Sequence, residues 1–139
     1  MLILLTIHSI VRWLVTLVAL ALIIRLIIGL VKKQPFDKSA AGLTSAFGGL
    51  MDTQLLLGLL FLVQDGLSKS GFPSYRMEHA FAMILAVIVA HLPAMWKNKD
   101  DSLRTRNTLI IVIISLLLVF IGISPLGGWG RWWHIIGLF

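Results

Sequence analysis

The chain has 139 residues, 58% of them hydrophobic and 13% charged. A soluble domain carries about 25% charged residues, so an ordinary soluble domain is excluded. Without cysteine there are no disulfides, thiolate metal sites or cysteine nucleophiles. The formal charge of +6 comes from 12 Lys and Arg against 6 Asp and Glu. These cations lie mostly between apolar runs, which is a membrane-topology pattern rather than a nucleic-acid footprint.

Four apolar runs predict four membrane-spanning helices, at about 3–31, 41–65, 77–96 and 107–126. Each approaches or exceeds the ~20 residues that cross a hydrocarbon core of ~30 Å. The runs are apolar on most faces and lack period-2 alternation, so surface helices and a β-barrel are both disfavoured. The expectation is an all-α polytopic membrane protein: one four-helix transmembrane bundle spanning residues 1–139, in a lipid bilayer. No basic residue precedes the first run and no small-residue cleavage motif follows it, so it reads as a retained helix rather than a signal peptide. The connectors are too short to house a second domain.

Lys32, Lys33, Lys38, Lys97, Lys99, Arg104 and Arg106 fall on one side of the membrane. Lys69, Arg76 and Arg131 fall on the other, with Arg12 just inside the first helix. The positive-inside rule makes the first side cytoplasmic and puts both termini outside, at a bacterial inner membrane. Trp13, Trp96, Trp129, Trp132 and Trp133 fit interfacial anchoring.

Alternating helix direction then sets depth. His8, His79 and His134 belong at about one level on the outer side, while His91 lies twelve residues beyond His79, roughly 18 Å deeper. Each outer histidine has an arginine three or four residues away: Arg12, Arg76 and Arg131 respectively. Two imidazoles on facing helices can fill both axial positions of a haem iron, and neighbouring arginines can hold its propionates. His8 and His79 are the preferred iron ligands. His134 is an alternative partner, a neighbouring donor or an interfacial residue. Histidine at this level also suits a quinone carbonyl, or a zinc or copper ion. Met83, one turn deeper than His79 on nearly the same face, reads chiefly as core filler.

Asp52 is the costliest residue for its position, since a carboxylate in hydrocarbon is normally paired, protonated or wet. It lies about 20 Å from the outer end of its span, at the level of His91. A hydrogen-bonded Asp52–His91 pair is expected, as a proton or quinone site or as a structural clamp. Thr53 and Gln54 add polarity but cannot share one face with Asp52. Ser45, Gly48 and Gly49 permit close packing. There is no Walker loop, dinucleotide fingerprint or HExxH segment.

IHSIVRWL at 7–14, QLLLGLL at 54–60 and RMEHAFAMILAVIVAHL at 76–92 resemble small bacterial four-span proteins known as cytochrome-b-like membrane proteins. The likeness is clearest at His8, Arg12, Arg76, Glu78 and His79. More distantly, the arrangement is similar to the b561-like haem bundles, which bind b-type haem between transmembrane helices and often exchange electrons with quinones or ascorbate. The resemblance implies His8 and His79 as haem ligands, with Arg12 and Arg76 toward the propionates. Some members carry histidine where Asp52 stands, which leaves a second haem without a ligand here. The expected role is electron transfer through haem b, with a quinone as exchange partner, alone or in a complex with other membrane redox subunits. An oligomer is compatible with the pattern. The alternatives are a cofactor-free structural subunit and a small transport module using Asp52 and His91.

Overall fold

The computed structural model describes residues 2–128 and 130. Four long helices run in sequence: α1 (Leu2–Val31), α2 (Lys38–Asp65), α3 (Ser74–His91) and α4 (Asp101–Ile123). A π-helical turn, Gly66–Ser70, extends α2, and 3-10 turns, Leu92–Trp96 and Ser124–Leu126, extend α3 and α4. All four helices are long and apolar enough to cross a membrane. α1 packs along α2 and α4, and α3 packs along α4 and α2, giving an up-down-up-down four-helix bundle.

Helix boundaries follow capping rather than hydropathy. The Asp37 carboxylate accepts the Ala40 N–H at 2.9 Å, so α2 starts at Lys38, ahead of its apolar run. Asp100 accepts the Leu103 N–H at 3.0 Å and starts α4 at Asp101, through a charged turn that hydropathy leaves out. α1 ends without glycine: Lys33 takes a left-handed backbone (φ 52°), and the Gln34 N–H returns to the Gly29 carbonyl at 2.9 Å. Arg25 then bonds Asp37 at 2.8 Å, tying α1 to the start of α2. Asp37 accepts both the Ala40 N–H and the Arg25 guanidinium, and these hold its carboxyl below the usual aspartate range.

Along α1 the core residues are Val11, Val15, Ala19, Leu22 and Leu26, recurring at helical spacing. They meet Phe47 and Met51 of α2, Ala86 and Ala90 of α3 and Val112 of α4. Across α3 and α4 the buried Ser115 hydroxyl donates to the Ala86 carbonyl at 2.9 Å. Outside this core, isoleucines and leucines such as Ile10, Leu17, Ile24 and Ile121 are exposed. An apolar exterior suits lipid, where close packing and interhelical hydrogen bonds rather than water exclusion hold helices together.

Candidate functional site

Two concave sites lie in the bundle, one toward each end. The first is a cavity of about 290 Å³ near the start of α1, lined by all four helices. His8, Arg12, Gln54, Arg76 and His79 supply its polar wall, and Leu5, Val15, Leu59, Met83 and Leu116 are among its apolar residues. Its size is at the lower end of the range for small-molecule pockets, about 300–1,000 Å³.

His79 is held by α4. Its Nδ1–H donates to the Gly122 carbonyl at 2.8 Å. In the neutral ring this leaves Nε2 with a free lone pair, the arrangement that orients histidine as a metal ligand and raises its basicity. Gly122 makes the approach feasible: a Cβ there would lie 2.5 Å from Met83 Cε and 2.8 Å from Ala82 Cβ. His8 is held by α2. Gln54 Nε2 lies 3.1 Å from His8 Nε2, and the amide N–H donates to the ring. Gly58 supplies a flat seat for that ring, since a Cβ there would lie 3.2 Å from His8 Cε1. His8 Nδ1 and Gln54 Oε1 are buried without a hydrogen-bond partner among the described residues. Such atoms are costly unless something else satisfies them.

Arg76 pairs with the buried Asp65 and lies over the rings of Phe61 and Tyr75. It sits one turn before His79, toward the start of the helix. Arg12 also lines the cavity, but the expectation that both arginines mark its outer edge fails for it. Arg12 is four residues further along α1 than His8, about 6 Å toward the middle of the bundle. Arg76 lies on the side of the histidines nearer the start of α1, and Arg12 on the side nearer the middle of the bundle. Met83 is buried and lines the cavity beside Gly122. Arg131 and His134 lie outside the described residues, as do Trp129, Trp132 and Trp133.

The second site is a groove of about 420 Å³ at the end carrying the basic connectors. His91 Nε2 lies 2.8 Å from Asp52 Oδ1, so the expected pair forms. Both side chains are more than half exposed, at 53% and 54%, on the outside of the bundle. Gly48 seats the His91 ring, with a Cβ position 3.2 Å from Cε1, but Gly49 and Ser45 are exposed, and a Cβ at Gly49 would meet no atom within 4 Å. Arg104 stacks on Phe36, its guanidinium carbon 4.0 Å from the ring centroid.

Gln54, Gly58 and Gly122 are the residues that sequence reasoning missed as partners of the histidines. The one available signal was that Gln54 cannot share the Asp52 face and so must turn elsewhere. Compared with family models, curated proteins and solved structures, the chain matches none.

Proposed function

We propose that the cavity between α1 and α3 binds a b-type haem, with His8 and His79 as axial ligands, and that the protein transfers electrons within the membrane. The observation that supports this reading is the pairing of two imidazoles on one cavity, one of them oriented by a backbone carbonyl. The donor set fits the group. Imidazole is an ordinary haem ligand; His79 offers a free Nε2 lone pair, while His8 would give iron the Nε2 lone pair that now accepts from Gln54, its proton being on Nδ1. Arg76, on the outward side, is the residue placed to meet a propionate, sharing its guanidinium with Asp65. Arg12 contributes positive potential from below. When bound, haem supplies a one-electron redox change; the chain supplies ligation, orientation and a wall that excludes water.

By the positive-inside rule this reading puts the cavity in the outer half of a bacterial inner membrane and the groove in the cytoplasmic half, with both termini outside. A membrane quinone or a neighbouring redox subunit is the exchange partner in this reading.

The test is the absorption spectrum of protein purified from haem-replete cells. A reducible Soret and α band, confirmed by pyridine haemochrome, is expected, and His8→Ala or His79→Ala should each abolish it. A colourless preparation with no haem by that assay overturns the proposal and leaves a cofactor-free structural subunit as the better reading.

A further inference from the structure

The groove at the basic end carries a cation that no carboxylate neutralises. Arg25 is paired with Asp37, and Arg76 with Asp65. Arg104, in the first turn of α4, is half-buried at the connector end of the groove and enters no ion pair among the described residues. Its guanidinium rests on the ring of the buried Phe36. The nearby acids are committed or turned away: Asp37 to Arg25 and the Ala40 N–H, Asp100 to the Leu103 N–H, while Asp101 is exposed. A guanidinium stacked by its face keeps its N–H edge available, and that edge is a fork that holds phosphate. Lys38, Lys97 and Lys99 are exposed at the same end, so the surrounding field favours an anion.

Beyond Arg104 the groove becomes a slot. Ala41, Ser45, Gly48 and Gly49 line it from α2, with Ala90 and Ala94 from α3 and the turn that follows. Ser45, Gly49 and Ala94 are exposed, so the slot opens sideways to lipid. Elsewhere the exposed positions carry bulky chains such as Leu17, Phe81, Ile88 and Leu117, and the lipid-facing surface recedes where these small residues gather. From Ala41 to Asp52 the slot follows about 16 Å of helix, close to half of a ~30 Å hydrocarbon core. It therefore has the depth of one leaflet. Asp52, its one carboxylate among the described residues, lies at the far end in its bond to His91. A phosphate-binding cation at headgroup level, above a leaflet-deep slot, matches the shape of a single phospholipid. An ammonium-bearing head would meet Arg104 and the neighbouring lysines, so charge selects an anionic head.

We infer that the groove between α2, α3 and α4 holds one anionic phospholipid, its phosphate on Arg104 and an acyl chain in the slot of small residues. The inference is independent of the haem assignment.

The experiment is native mass spectrometry of the full chain in detergent, titrated with phosphatidylglycerol or phosphatidylcholine. A saturable adduct of one phosphatidylglycerol per chain is expected, at least about tenfold tighter than phosphatidylcholine. Arg104→Gln should weaken it about 10- to 100-fold, the loss of a charge-assisted bond, while Arg106→Gln, an exposed cation that does not line the groove, should change it less than about twofold. Gly49→Leu fills the slot and should weaken the adduct about tenfold without touching any charge. A Cβ at Gly49 meets no atom within 4 Å, so this variant keeps the test sound if Arg104→Gln unfolds. Equal losses in Arg104→Gln and Arg106→Gln would reveal a diffuse basic surface and overturn the proposal. Phosphatidylglycerol binding unchanged in Gly49→Leu overturns it as well, as does phosphatidylcholine binding of equal strength. Displacement of the lipid by excess inorganic phosphate would give Arg104 to a soluble anion. Dimers in place of lipid adducts, lost in Gly49→Leu, would give the slot to a second copy of the chain; either result refutes the lipid site.

Discussion

The two ends of α2 solve one packing problem and reach different chemistry. At each end a glycine of α2 seats an imidazole from a neighbouring helix: Gly58 under His8 and Gly48 under His91, ten residues or about 15 Å apart. At each end α2 also supplies the hydrogen-bond partner, Gln54 for His8 and Asp52 for His91. The partners are two positions apart and therefore point to different sides of the helix. The amide faces the interior cavity, where it orients a ring without adding a charge. The carboxylate faces outward, where it pairs with His91 on the exposed side of the bundle. A change of one side-chain group and about 200° of rotation thus separates an enclosed cavity wall from an exposed polar pair.

Gly122→Leu is the substitution expected to break this contrast most severely. It drives a side chain into Met83 and Ala82 and removes the approach that lets the Gly122 carbonyl hold His79. Loss of the visible haem spectrum is expected. The milder Gly122→Ala should cost about 1–3 kcal/mol through overpacking, read by thermal unfolding in detergent. Retention of full stability would show that α3 and α4 have more room than the glycine implies.

Gln54→Leu should strengthen haem retention, since it frees the His8 Nε2 lone pair that the amide N–H occupies. Asp52→Asn, two residues away, should leave the spectrum unchanged. Equal effects of the two, measured by haem transfer to apomyoglobin, would erase the distinction between the ends. Gly58→Ala is a finer probe. A Cβ 3.2 Å from the His8 ring requires a shift of a few tenths of an ångström, so a displaced Soret maximum with haem still bound is expected.

Legibility in the sequence followed the same divide. The four spans were readable because apolar length is a property of the chain alone. Two helices begin ahead of their apolar spans, because Asp37 and Asp100 cap charged turns that hydropathy excludes. Depth was readable too, so Asp52 and His91 were matched by rise per residue, and they touch. Rotation was not. Helices apolar on every face carry no stripe to mark the interior, so nothing showed that Gln54 turns toward His8 or that Gly122 offers its carbonyl to His79. The exposure of the Asp52–His91 pair was hidden for the same reason. Arg12 was misplaced by a simpler error, since helix direction alone puts it deeper than His8.

The smallest expected effect lies outside both sites. Asp37 accepts the Ala40 N–H and the Arg25 guanidinium, which depress its folded pKa. Its contribution to stability is therefore present above the unfolded aspartate value of about 4 and lost as pH falls through the lower folded value. Asp37→Ala should lower the unfolding temperature at neutral pH. The gap from the wild type should close as the buffer is taken below about pH 4, and a gap that persists would assign the loss to something other than the carboxylate charge.

Because α2 carries both seats and both partners, its azimuth is a shared reference for the two histidines. A twist that unseats His8 from Gly58 also slides Gly48 beneath His91. Deleting one residue between them would turn the later half by about 100° and pull the two ends out of phase. α2 is thus the axle of the molecule, and neither end can be retuned by turning it without the other registering the movement.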